Sequence, residues 1–218
     1  MRSRPWKWTL LAAAAGFASA AIFSLVLHLD RYVFVAAWGV VALAVFVAFA
    51  RAHRLTLRTQ LSRHVLGGIV VGALAGAVLA WTVLRQPASA VPHGGRMGVD
   101  LLWLGVVYGT LDALVLSVLP VLAFYGARPA EELSTPAGRL RPAAMAIVGS
   151  IVVTAAYHLG FREFQGAALV GPIIGNTVVT LAYLVSGSAL APVIAHVAMH
   201  GAAVLHGAAT TAQLPPHY

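Results

Sequence analysis

The chain has 218 residues, of which 60% are hydrophobic and 9% are charged, whereas a soluble domain typically carries about 25% charged residues. The apolar residues come in long runs, which is typical of polytopic helical membrane proteins. The absence of cysteine excludes disulfides, thiolate metal sites and cysteine nucleophiles. The net charge of +8 does not indicate nucleic-acid binding, because no basic run is interleaved with aromatic residues.

The apolar runs predict an all-α bundle of seven transmembrane helices that forms one domain over residues 1–218, with three N-terminal spans within 1–98. The predicted spans, in chain order, are 8–29, 32–50, 65–84, 99–126, 143–160, 166–186 and 188–211. The fifth is short for a bilayer, which predicts that it ends inside the membrane or near a cavity. The first is longer than a signal-peptide core, so we interpret it as a retained span.

The basic residues predict the orientation of these spans in the cell membrane. One side holds Arg2, Arg4, Lys7, Arg51, Arg54, Arg58, Arg63, Arg128, Arg139 and Arg141. The other side holds Arg31, Arg85, Arg96 and Arg162. Because cytoplasmic loops carry the excess of Lys and Arg, the N-terminus is expected in the cytoplasm and the C-terminus outside.

Small residues at four-residue spacing predict where helices pack closely in the membrane. The third span carries Gly68, Gly72 and Gly76, and the sixth carries Gly171 and Gly175. Such patterns allow two helix backbones to approach each other. They are common in chains rich in Gly and Ala, so they predict tight packing without naming the partner helix.

Only one acidic residue, Asp112 in "VYGTLDALVLS", lies deep inside a predicted span. A carboxylate at that depth costs at least ~2.5–3.5 kcal/mol on insertion scales, which makes a functional role the first hypothesis. The alternative is a protonated Asp112 that hydrogen-bonds a neighbouring helix. The remaining acidic residues fall in or beside loops: Asp30, Asp100, Glu131, Glu132 and Glu163.

Three histidines lie at a depth similar to that of Asp112. His196 and His200 are four residues apart in the seventh span and therefore project from one helix face. His158 lies in the fifth span, and His206 lies further round the seventh helix, nearer the outer surface. We expect Asp112, His158, His196 and His200 to meet in one cavity. The alternative is that backbone carbonyls or Ser and Thr hydroxyls satisfy each histidine separately.

Three chemistries fit this cluster. The side chains can act directly as acid and base, with the carboxylate activating water and the imidazoles stabilising an oxyanion. They can instead bind Zn²⁺ or another divalent metal through His158, His196, His200 and Asp112. A third option, haem b, is disfavoured because two histidines one turn apart cannot occupy opposite faces of one iron. Haem would need His158, His206 or His28 as the opposite ligand.

Two segments carry a resemblance to a known family. "LVSGSALAPVIAHVAMHGAAV" resembles the last motif of the CPBP family of CAAX proteases and bacteriocin-processing proteins, in which His-x-x-x-Asn or His-x-x-x-Asp follows a Gly-Ser turn. His196 stands at the family histidine, and His200 replaces the Asn or Asp. "GSIVVTAAYHLGF" resembles the Phe-x-x-x-His motif, with His158 matched and Thr154 at the Phe position. The resemblance covers roughly residues 100–210.

The family's Glu-Glu-x-x-x-Arg motif is not intact, since Asp112 is the only acid in the expected segment. The resemblance implies an intramembrane protease in which Asp112 is the general base, His158 and His196 polarise the substrate, and His200 replaces an Asn. A peptide or protein would then be the substrate. The missing motif favours the alternative of a catalytically inactive scaffold, immunity protein or partner-binding subunit with the same fold. A third hypothesis is a redox protein with a histidine-ligated haem or metal.

Overall fold

A computed structural model of the chain describes residues 5–55, 57–91, 93–126, 131–207 and 213–215, and these residues contain helices and no strand. Seven helices are long and apolar enough to cross a membrane, as the sequence predicts. They are α1 (Pro5–Val26), α2 (Arg31–Ala52), α3 (Val65–Leu84), α4 (Gly95–Tyr125), α5 (Pro136–Leu159), α6 (Gly166–Ser186) and α7 (Leu190–Gly207). The protein is therefore a multi-pass helical membrane protein, with a short extra helix at Leu57–Ser62 between α2 and α3.

The fifth helix is longer than predicted. It begins at Pro136 and has 24 residues, and it ends at Leu159 beside a cavity that His158 and Phe161 line, so the expectation that this span ends near a cavity is confirmed. The hydroxyl of Thr135 caps its first turn by accepting from the N–H of Gly138 at 3.1 Å, and a proline at the first helical position suits this start. Pro142 removes one helical hydrogen bond without ending the capped helix. Residues 208–211 of the predicted seventh span lie outside the described residues.

Helix α4 is the centre of the bundle, because 78% of its apolar window is buried inside the protein, against 44% or less for the other six helices. Its backbone is α-helical at Tyr108–Asp112 and widens into π-helical turns at Leu101–Val107 and at Ala113–Val118. Wide turns of this kind are frequent at functional sites. Asp112 therefore lies at the junction of regular and widened helix.

The glycines of α3 pack against α7. A Cβ atom on Gly72 would lie 2.8 Å from the backbone oxygen of Ala191, and one on Gly76 would lie 2.8 Å from the Cβ of Ala198. Neither position accepts a side chain without displacing the neighbouring helix. The predicted packing face of the third span is thus confirmed, and its partner is α7.

Two glycines of α4 approach α7 from another side. A Cβ on Gly109 would lie 3.0 Å from the backbone nitrogen of Val197, and one on Gly105 would lie 3.4 Å from the Cα of Gly201. In α6 the glycine prediction is wrong at Gly171, where a Cβ would meet nothing within 4 Å, whereas a Cβ on Gly175 would lie 3.6 Å from the side chain of Leu79 in α3. Gly171 lines a cavity and does not pack against another helix.

Candidate functional site

A cavity of about 520 Å³ lies inside the bundle. All four sequence-predicted site residues line it: Asp112 from α4, His158 from α5, and His196 and His200 from α7. Much of the remaining lining is apolar, with Asn176 of α6 and Tyr108 of α4 among the polar exceptions. The volume falls within the range of about 300–1,000 Å³ that is usual for small-molecule sites.

Asp112 is buried, with 3% of its surface exposed. One carboxylate oxygen, Oδ1, accepts a hydrogen bond of 3.1 Å from the indole Nε1 of Trp38 in α2. The other, Oδ2, lies 3.5 Å from Nε2 of His200. That separation exceeds the usual 2.7–3.2 Å of an N–H···O hydrogen bond, so the two groups face each other without forming one.

Aromatic rings hold His200 in place. The ring of Tyr108 lies 4.7 Å from the ring of His200, and the Tyr108 hydroxyl shares a hydrogen bond of 2.9 Å with the hydroxyl of Tyr157. Tyr157 in turn stacks on Trp38, with ring centroids 4.8 Å apart. Trp38 thereby contacts both halves of the His200–Asp112 pair: it donates to Asp112 directly, and it reaches His200 through Tyr157 and Tyr108.

Asn176 fixes the protonation of His196. Its Nδ2 donates to the backbone oxygen of Leu116 at 3.2 Å, and a carbonyl can only accept, so the amide oxygen must point the other way. That oxygen lies 3.2 Å from Nε2 of His196, which must therefore carry the proton and donate it. The unprotonated nitrogen of His196 is then Nδ1, which has its lone pair available.

The carbonyl of Leu116 is available to Asn176 because of a proline. In a regular α-helix this carbonyl would accept from the residue four positions later, and Pro120 has no N–H to give. Ser150 of α5 also donates to the same oxygen, at 2.7 Å. The amide oxygen of Asn176 also accepts from the hydroxyl of Ser117, and its Nδ2 donates to the hydroxyls of Ser150 and Thr154. These contacts complete a buried hydrogen-bond network.

Three buried ring nitrogens of the described residues have no hydrogen-bond partner: Nδ1 of His196, and Nδ1 and Nε2 of His200. Leaving a buried polar atom unsatisfied costs about 1–3 kcal/mol. One ligand atom each from Asp112, His196 and His200 lies within 4.8 Å of the other two. Unused nitrogens beside a carboxylate make this a candidate site for a divalent metal ion.

His158 of the predicted set, and His206, which was considered only as a haem ligand, lie apart from this group. His158 lines the cavity, and its Nδ1 donates to the backbone oxygen of Thr154 at 2.8 Å, which leaves Nε2 able to accept a proton. His206 donates from Nε2 to the backbone oxygen of Gln86 at 2.7 Å. The structure thus groups three of the four predicted residues, places His158 on the wall of the same cavity, and keeps His206 outside it.

Sequence reasoning missed Asn176, Trp38 and Tyr108. A signal existed for Asn176, because it is a lone amide in the apolar segment "GPIIGNTVVTLAYL", where an unsatisfied polar group is costly. Trp38 and Tyr108 carried no such signal, since aromatic residues are ordinary in membrane spans. Their roles depend on which helices become neighbours.

Comparison of the chain with family models, with curated proteins and with solved structures finds no match. The CPBP resemblance therefore rests on the motif residues alone.

Proposed function

We propose that this protein is a metal-assisted hydrolase that works inside the membrane, with Asp112, His196 and His200 as the metal ligands. The observation that carries the proposal is the set of unpartnered ring nitrogens beside a buried carboxylate, on the wall of a 520 Å³ cavity. Two imidazoles and a carboxylate are a usual ligand set for catalytic Zn²⁺.

The spacing of one pair of ligand atoms fits a metal ion, and all three ligand atoms lie within 4.8 Å of one another. With bonds of about 2.0–2.2 Å, two ligand atoms of a tetrahedral zinc site lie about 3.4 Å apart. The distance between His200 Nε2 and Asp112 Oδ2 is 3.5 Å. This separation is close to the spacing of two ligands of one ion.

The surroundings of the ligands also fit. Histidine ligands commonly donate their second ring N–H to an oxygen, which fixes the ring and exposes the other nitrogen. His196 makes such a bond to Asn176. The ligating carboxylate is commonly hydrogen-bonded as well, and Asp112 accepts from Trp38.

Three protein ligands would leave a fourth position for water or substrate on a bound zinc ion, as in catalytic and not in structural zinc sites. A divalent ion bound there would supply Lewis acidity to the carbonyl of an ester or amide. His158 can take the proton of the attacking water at Nε2, because its Nδ1–H is already donated to Thr154. The CPBP resemblance supports hydrolytic chemistry at these positions, and the geometry favours Asp112 as a ligand rather than as the base.

The proposal is tested with Zn²⁺ alone and then with two fluorogenic substrates. The purified protein is loaded with Zn²⁺, and its metal content and absorption spectrum are measured. We expect one equivalent of zinc, retained in His206→Ala and lost in His200→Ala. His206 is the matched control because it lies on the same helix and outside the ligand group.

The loaded protein is next placed in vesicles that contain a fluorogenic long-chain ester and, separately, a fluorogenic apolar peptide. We expect zinc-dependent release of the fluorophore from at least one of them, and its loss in His200→Ala. Full zinc occupancy in His200→Ala would contradict the ligand assignment. Absence of turnover of both substrates by the zinc-loaded protein would contradict a hydrolase, and a haem absorption band would favour a redox protein.

A further inference from the structure

The cavity has an opening between α3 and α6. Val78 of α3 and Ile174 of α6 both line the cavity, yet 53% and 59% of their surfaces are exposed. A side chain that borders a cavity and also faces outward lies at its edge. Gly171 lines the cavity one turn from Ile174, and a Cβ there would meet nothing within 4 Å. We refer to the gap bordered by Val78, Gly171 and Ile174 as the portal.

The portal lies in one half of the bundle. The cavity is lined by residues at the C-terminal end of α3 and after α5, and by the N-terminal part of α6, among them Gln86, Glu163 and Ala168. These ends are opposite to the ends that carry the basic residues Arg51 and Arg139. By the positive-inside rule, the portal opens to the extracytoplasmic half of the bilayer.

Polar groups lie at the floor and the rim of the cavity, and the wall between them is mostly apolar, with the polar side chains of Thr82 and His158 donating to backbone oxygens of their own helices. The metal-ligand group forms the floor, Gln86 and Glu163 lie at the outer rim, and Leu79, Val179 and Met199 are part of the apolar wall. An extended peptide brings an N–H and a C=O at almost every residue, each of which needs a partner away from water. An acyl chain brings none. The wall therefore suits a lipid chain better than a peptide backbone.

We propose that the substrate is a lipid of the extracytoplasmic leaflet, whose acyl chain passes through the portal while its ester or amide carbonyl reaches the metal-ligand group. This rests on the proposed hydrolase function. For an ester, water adds its oxygen to the acyl carbon and the bond to the alcohol oxygen breaks. The alcohol leaves with one proton, and the products are a carboxylic acid and an alcohol.

The experiment uses a phosphatidylcholine with a diazirine on its acyl chain, and the whole protein in membrane vesicles without added metal. After irradiation, mass spectrometry locates the labelled residues. We expect labelling of Met199 on the cavity wall, in addition to Val185, which is 75% exposed on the surface of α6. In Gly171→Trp we expect labelling of Met199 to be lost and labelling of Val185 to remain.

Gly98→Trp is the matched control, because a Cβ on Gly98 also meets nothing within 4 Å and Gly98 does not line the cavity. Cavity labelling should persist in this variant. When the lipid probe is added to the outer leaflet of the vesicles, cavity labelling should occur in right-side-out vesicles and not in inverted ones.

Three results would overturn the inference. They are labelling confined to Val185, cavity labelling that Gly171→Trp does not change, and cavity labelling by a diazirine-bearing apolar peptide in place of the lipid. Because the labelling needs no metal and no turnover, its failure is separate from a failure of the zinc and hydrolysis tests.

Discussion

Asp100 and Asp112 lie on the same helix and are equally buried, each with 3% of its surface exposed, yet their surroundings differ. Asp100 lies near the start of α4 and accepts a hydrogen bond from the hydroxyl of Tyr32. Asp112 lies at the cavity and faces His200, whose ring nitrogens have no hydrogen-bond partner among the described residues. Sequence reasoning expected Asp100 in or beside a loop.

Burial of a carboxylate is therefore not sufficient to indicate a functional site. Asp100 does not line the cavity and is hydrogen-bonded to Tyr32, as expected of a buried structural acid. Asp112 has a donor on one oxygen and faces ring nitrogens that have no hydrogen-bond partner among the described residues. The useful distinction is between buried polar groups that are satisfied by the fold and those that are not.

The largest effect should separate the two aspartates directly. Asp112→Asn removes a charged ligand, and we expect zinc affinity to fall by at least about 100-fold. Asp100→Asn should leave zinc affinity unchanged, because Asp100 is outside the ligand group. Competition with a chromophoric zinc chelator measures both affinities. Equal losses in the two variants would remove the distinction.

A smaller effect should follow from removing the hydrogen-bond donor to Asp112. Trp38→Phe deletes the N–H that bonds Oδ1 of Asp112 and keeps an aromatic ring against Tyr157. We expect a loss of about 10–100-fold in zinc affinity, the usual consequence of removing a partner of a metal ligand. The same chelator competition measures it. An unchanged affinity would show that the indole N–H does not orient Asp112.

The smallest effect should come from Tyr32→Phe, which removes the corresponding donor to Asp100. We expect a loss of about 1 kcal/mol in the free energy of unfolding, which lowers the melting temperature by about 2–4 °C in a chain of this size. Zinc affinity should not change. Thermal unfolding in detergent and chelator competition test the two parts, and a loss of zinc affinity would place Asp100 in the functional site.

The spans were predictable because bilayer thickness sets the length of an apolar helix, and the seven predicted runs correspond to α1–α7. The residues of the candidate cluster were also predictable, since ionisable groups deep in apolar segments are rare. The approach of Asp112 to His200 depended on comparing depths along α4 and α7. That comparison needs only the rise per residue of a helix.

Other features depended on tertiary contacts that periodicity does not contain. The role of Asn176 depends on a carbonyl of α4 that Pro120 leaves without its helical hydrogen bond. Gly171 has the same spacing in the sequence as the glycines of α3, but it is exposed whereas they are packed. The start of α5 was predicted at residue 143, whereas the helix begins at Pro136. The Thr135 cap and the proline beside it allow the helix to begin about two turns earlier than predicted.

The glycine contacts of α7 have a mechanical consequence. Gly72 and Gly76 bring α3 close on one side of α7, and Gly105 and Gly109 bring α4 close on another. Close backbone packing makes these three helices change their tilt together when bilayer thickness changes. All three proposed ligands lie on α4 and α7, within that rigid body. Asn176 of α6 is hydrogen-bonded to His196, whereas a Cβ on Gly171 at the portal would meet nothing within 4 Å, so we expect membrane deformation to change the portal more than the ligand distances.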